Sequence, residues 1–132
     1  MIFFKFFLLL MILTTSSALR ISPSNARTLA SAFLNRLNAA QNPGAINRLT
    51  NTRLTYIRCA RSRSNGRSFQ EIKGKADFSH DIVAWKTAGY LMNARAYGRD
   101  ITLFQAKFGE RVFEFTMANK NGIAQVVKEQ GC

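Results

Sequence analysis

Residues 90–129 read YLMNARAYGRDITLFQAKFGERVFEFTMANKNGIAQVVKE, and the pattern of this stretch decides the fold class. Three turn signals, Gly98-Arg99-Asp100, Gly109-Glu110 and Asn119 to Gly122, divide it into four extended runs. Gly109-Glu110 is a two-residue loop whose leading glycine suits a tight hairpin. Alternation places Tyr90, Met92, Ala94 and Ala96 on one side of the first run, Phe104, Ala106 and Phe108 on one side of the second, and Phe113, Phe115 and Met117 on one side of the third. Each run therefore has one apolar face, as half-buried strands do. Hairpin turns join neighbours, so the four runs predict an antiparallel meander with helices covering its apolar face.

Upstream the period changes from two to that of a helix. Ser22 or Ser24 can cap and Pro23 can start a helix in which Ala26, Leu29, Ala30, Phe33, Leu34, Leu37 and Ala40 recur on one face. Asn42-Pro43-Gly44 ends it, and Ala45, Ile46 and Leu49 predict a short second helical turn. Leu54 and Tyr56 alternate with Thr55 and Ile57 in an extended run from Arg53 to Cys59. The stretch Ala60 to Lys75, rich in arginine, serine and glycine, reads as a solvated loop or hairpin tip. Asp77 stands where a helix cap would, followed by Phe78, Ile82 and Trp85 at helical spacing. The expected fold class is α+β, with N-terminal helices packed on a curved antiparallel sheet that ends in a four-stranded meander.

The opening stretch MIFFKFFLLLMILTTSSA has a single Lys5 before an apolar run from Phe6 to Leu13 and then small polar residues. That is the layout of a signal peptide, and the run is too short to span a bilayer. Cleavage is expected after Ala18, giving residues 1–18 as signal and 19–132 as one domain, secreted to the extracellular space. The chain carries 19 Lys and Arg against 7 Asp and Glu, a net charge of +12. Removing the signal takes only Lys5, leaving 18 against 7 and a net +11. Such a surplus favours polyanions or anionic surfaces. Export makes nucleic acid an unexpected partner, and no membrane attachment is expected after cleavage. Cys59 and Cys132 form an even pair, which in an oxidising compartment is read as a disulfide.

The order helix, short proline-started helix, strand, short helix and four-stranded meander, closing on Gly131-Cys132, resembles the nuclear transport factor 2-like fold, especially small secreted nematode proteins of that type. Cys59 and Cys132 look like the cysteine pair that recurs there. The resemblance implies a cone-shaped α+β domain, shared by enzymes and binding proteins, whose inner sheet face encloses a cavity. A second resemblance, to the cystatin inhibitors, rests on Gln125-Val126-Val127-Lys128-Glu129, which matches a Gln-x-Val-x-Gly hairpin except for its glycine; a final strand is the plainer reading.

Functional residues are few. His80 is the only histidine, with Asp77 three residues before it and Asp81 one after. On a helix Asp77 shares its face and Asp81 points elsewhere. No acid–base pair, nucleophile elbow or zinc ligand set follows, so the reading is a domain that is not an enzyme and needs no metal or cofactor. Two binding surfaces remain. The first is an apolar pocket for a small molecule or partner chain, lined by Tyr90, Met92, Phe104, Phe108, Phe113, Phe115 and Met117. The second is an arginine loop, Arg58, Arg61, Arg63 and Arg67, suited to an anionic glycan, a lipid head group or an acidic protein.

Overall fold

The structure, a computed structural model, describes residues 23–132. The expected signal peptide and its cleavage point lie outside these residues. Among the described residues, three helices, α1 (Pro23–Ala39), α2 (Pro43–Asn47) and α3 (Lys75–Trp85), accompany six strands. These are β1 (Thr50–Arg61), β2 (Ser68–Lys73), β3 (Gly89–Tyr97), β4 (Ile101–Phe108), β5 (Arg111–Ala118) and β6 (Ile123–Glu129). They form one sheet in the order β2-β1-β6-β5-β4-β3. The expected α+β class and the β3–β6 meander are both present. The sheet is mixed, because β1 pairs with β6 in parallel while every other pair is antiparallel.

Local chemistry explains the boundaries. Asn42 caps α2, its side-chain oxygen accepting from the Ala45 N–H at 2.9 Å, and Pro43 supplies a first residue that needs no donor. Helix α3 starts three residues earlier than Asp77 as a cap suggested, with Gly74 as its flanking residue and Asp77 in the first turn, where a carboxylate suits the helix dipole. The stretch expected as a loop contains the end of β1 and all of β2. Only residues 62–67 form the tip.

One sheet face carries these three helices, and the core lies between helices and sheet. Ala26, Ala30, Phe33, Leu34 and Leu37 of α1 meet Phe104, Phe108, Phe113, Phe115 and Met117, all buried. Phe104 and Phe115 stack with centroids 4.8 Å apart, and Phe33 tilts over both at 5.6 and 5.7 Å. Phe78 of α3 meets the Tyr56 ring edge-on at 5.3 Å. Asn38 pins the start of β3 to α1, donating to the Gly89 carbonyl at 3.0 Å and accepting from its N–H at 2.8 Å. A glycine is required there, since a Cβ would lie 2.5 Å from the Phe108 ring.

The alternation expected for β3 fails at one place. The register slips between Leu91 and Asn93, a bulge at Met92 that shifts the side-chain parity by one residue. Ala94 and Ala96 face the helices as expected, whereas Tyr90 is 73 % exposed and Met92 is 47 % exposed. The Cys59–Cys132 disulfide is formed, with Cα atoms 5.5 Å apart, and ties the chain beyond β6 to β1.

Candidate functional site

The seven side chains expected to line a pocket on the helix-covered face do not enclose one. Five are core, and Tyr90 and Met92 are exposed. Only Phe108 of the seven borders a groove of about 470 Å³ between the C-terminal ends of α1 and α3. Its floor is Leu37, Ile82, Val83 and Phe108, and Asn38, Gln41, Lys86 and Thr87 stand around it. Lys86, which ends α3 with φ 53°, is the single non-glycine residue at positive φ among the described residues. Backbone strain of this kind costs of order 1 kcal/mol or more and collects where the chain must present a surface. Thr87 closes the turn by donating to the Trp85 carbonyl at 2.9 Å. Chemically the groove offers an apolar floor, amide and hydroxyl groups at the rim, and one ammonium.

A second cluster lies between α3 and β1. The Tyr56 hydroxyl donates to Asp81 Oδ2 at 2.7 Å, and Arg58 Nη1 reaches the same oxygen at 2.9 Å. Arg58 also pairs with Glu71 at 3.5 Å, and Glu71 with Lys73 at 3.3 Å. Sequence reasoning assigned Arg58 to the solvated arginine loop and pointed Asp81 away. Both belong here, because Arg58 shares the inner face of β1 with Tyr56. Asp81 lies three residues after Phe78 and four before Trp85, on the stripe that meets the sheet. A carboxylate on that apolar stripe, facing a strand tyrosine, was the available signal. His80 is exposed and takes no part.

Burial, and after it the bond to Asp81, pushes the Tyr56 phenol well above its ordinary range near 10. The folded state therefore binds this proton more tightly than the unfolded chain does. Its contribution to stability is complete below about pH 10 and falls as the pH rises further. We expect the stability advantage of the wild type over Tyr56→Phe, about 1 kcal/mol at pH 7, to shrink between pH 10 and 11 in urea titrations. Parallel pH profiles would show that the phenol is not held in this way.

Arg61, Arg63 and Arg67 are exposed on the β1–β2 hairpin. Nearby, Arg111 lies over the Trp85 ring at 4.6 Å, and Trp85 stacks on Phe113 at 5.4 Å. Gln125 to Glu129, the cystatin-like stretch, lies within β6 between β1 and β5 rather than in an inserting loop. No group of three or more metal-ligating side chains occurs among the described residues. None of their helices is long and apolar enough to cross a membrane.

No protein-family model matches the sequence, and no curated protein matches it. Among solved structures it is similar to a candidate ketosteroid isomerase from Kribbella flavida, with 14% identity over 79% of this chain and 75% of that one, TM-score 0.44. It is also similar to SalBIII, an epoxide hydrolase/cyclase-like enzyme of pyran ring formation in salinomycin, with 10% identity over 83% and 92%, TM-score 0.48. A third is a de novo designed protein from a set with diverse pocket structures, with 10% identity over 78% and 95%, TM-score 0.42. None of these bears on the narrower likeness to secreted nematode proteins. The expectation that the domain is not an enzyme is corrected by the first two, which are described as enzymes. The helix-on-sheet arrangement is the one that the nuclear transport factor 2-like resemblance implied.

Proposed function

We propose that the domain is exported and binds a small, mostly apolar molecule in the groove between the ends of α1 and α3. The groove itself carries this reading: about 470 Å³ over a floor of Leu37, Ile82, Val83 and Phe108, within the size range of small-molecule sites and with their mixture of apolar surface and a few polar groups. The left-handed Lys86 at its edge supports it, as does the Asn38–Gly89 pairing that fixes the end of α1 to the start of β3. Export is supported by the apolar run from Phe6 to Leu13 and by the disulfide.

A thermal-shift panel of fatty acids, sterols and terpenoids against the mature domain tests the groove. A true ligand at one hundred times its Kd stabilises by about 2.7 kcal/mol. That shift should disappear in Ala88→Trp, which places an indole at an exposed position bordering the groove. No shift with any compound, or a shift that survives Ala88→Trp, would refute the assignment.

A further inference from the structure

We propose that the β1–β2 hairpin, together with Arg111, is a binding site for a sulfated glycan chain, independent of the groove. The tip is ordered by its own short polar side chains. The Ser62 N–H donates to the Arg67 carbonyl and the Gly66 N–H to the Ser62 carbonyl, each at 2.9 Å. Asn65 accepts from the Arg67 N–H at 2.9 Å, and the Ser62 and Ser64 hydroxyls bond at 2.8 Å. Gly66 turns the chain at φ +68°. The small residues satisfy one another, so the guanidinium groups of Arg61, Arg63 and Arg67 extend from a preformed turn, and less ordering entropy is lost on binding.

Nothing nearby neutralises them. Among the described residues, no carboxylate lies within 4.0 Å of these three arginines, and the neighbouring acids are engaged elsewhere. Asp81 holds Tyr56 and Arg58, Glu71 holds Arg58 and Lys73, and Glu129 accepts from the Cys59 N–H at 3.0 Å while facing Arg111 at 3.9 Å. At the hairpin's base a polar pocket of about 390 Å³ has Arg61, Ser68 and Arg111 in its wall together with Glu129, whose charge is met by Arg111. The Arg61 guanidinium in that pocket, with no carboxylate partner among the described residues, is a planar fork that suits the oxygens of a sulfate group, which such forks bind bidentately. Arg63 and Arg67 continue the positive row beyond it, so a chain with repeated anionic groups gains more than a single small anion. Export, proposed above, places the domain where such glycans occur.

The experiment is heparin binding by the full mature domain, measured by column elution and by affinity at several salt concentrations, against two triple variants. Arg61→Ser/Arg63→Ser/Arg67→Ser should bind about tenfold more weakly, with a shallower salt dependence. Arg48→Ser/Arg53→Ser/Arg95→Ser, which removes the same charge from exposed positions elsewhere, should stay within about twofold of wild type if contact rather than net charge decides. Unchanged thermal midpoints in both variants establish that they remain folded. Equal losses in the two variants would assign binding to the overall field and overturn the site. So would full binding to desulfated heparin, or tighter binding to oligonucleotides or to vesicles containing phosphatidylserine.

Discussion

Replacing Cys132 by Ser is expected to lower the unfolding free energy by about 4 kcal/mol, the chain-entropy value for a bridge between residues 73 apart. The bridge joins the residues after β6 to β1, one strand in from the sheet edge, so its loss enlarges the unfolded ensemble far more than it disturbs native packing. Cys59 is half-buried, with its Sγ 3.9 Å from the Gln130 carbonyl, and its N–H is already held by Glu129. The native fold should survive the substitution. In urea unfolding, wild type with reductant and Cys132→Ser should therefore share one stability, about 4 kcal/mol below that of wild type without reductant. A loss below about 1 kcal/mol would mean that the cross-link constrains little in the unfolded chain.

A loss of similar size is expected from Phe115→Ala, about 4 kcal/mol. Phe115 is 0% exposed and touches four other rings, Phe33, Phe78, Phe104 and Phe108, at 4.8 to 6.3 Å between centroids. Truncating it leaves a cavity that neighbours from α1, α3 and β4 cannot all move to fill. Tyr90→Ala, at a side chain on the opposite face, should change stability by no more than about 0.5 kcal/mol. This contrast separates a solid helix-covered face from a hollow one. If Phe115→Ala cost less than about 1 kcal/mol, the ring would be lining empty space, and the pocket first expected among the meander's aromatics would be restored.

The parts of this architecture that were legible in advance are those where a local period meets a consistent environment. The aromatic residues of β4 and β5 face one core, so a period of two persists along each strand, and the helical stripe of α1 persists for the same reason. Strand β2 was hidden because SFQEIK lies at the sheet edge and is largely exposed along its length, leaving no apolar alternation to read. The inward placement expected of Tyr90 failed through a single extra residue at Met92, which no periodic reading can locate. Parallel pairing of β1 with β6 is fixed by tertiary contact alone. The Tyr56–Asp81–Arg58 cluster needed α3 to be docked on β1 before its members could be related. Only the hairpin arginines stood out from composition. Even there, Arg58 belongs with Asp81 and Glu71 rather than with the exposed tip.

The parallel pairing of β1 with β6 also has a kinetic meaning. Tyr56 lies beside Val127 and Ile57 beside Lys128, so the sheet cannot be assembled across its middle until the last strand is available. During synthesis β1 and β2 can meet early as a hairpin, and β3 to β5 can meet in sequence, but the two halves have no strand between them until β6 arrives. Contacts of such wide sequence separation slow the rate-limiting step. The two half-sheets would wait with unpaired edges, vulnerable to pairing with other chains. Refolding should therefore be slow for a domain of this size, and a chain truncated before Ile123 should aggregate rather than form a smaller version of the fold.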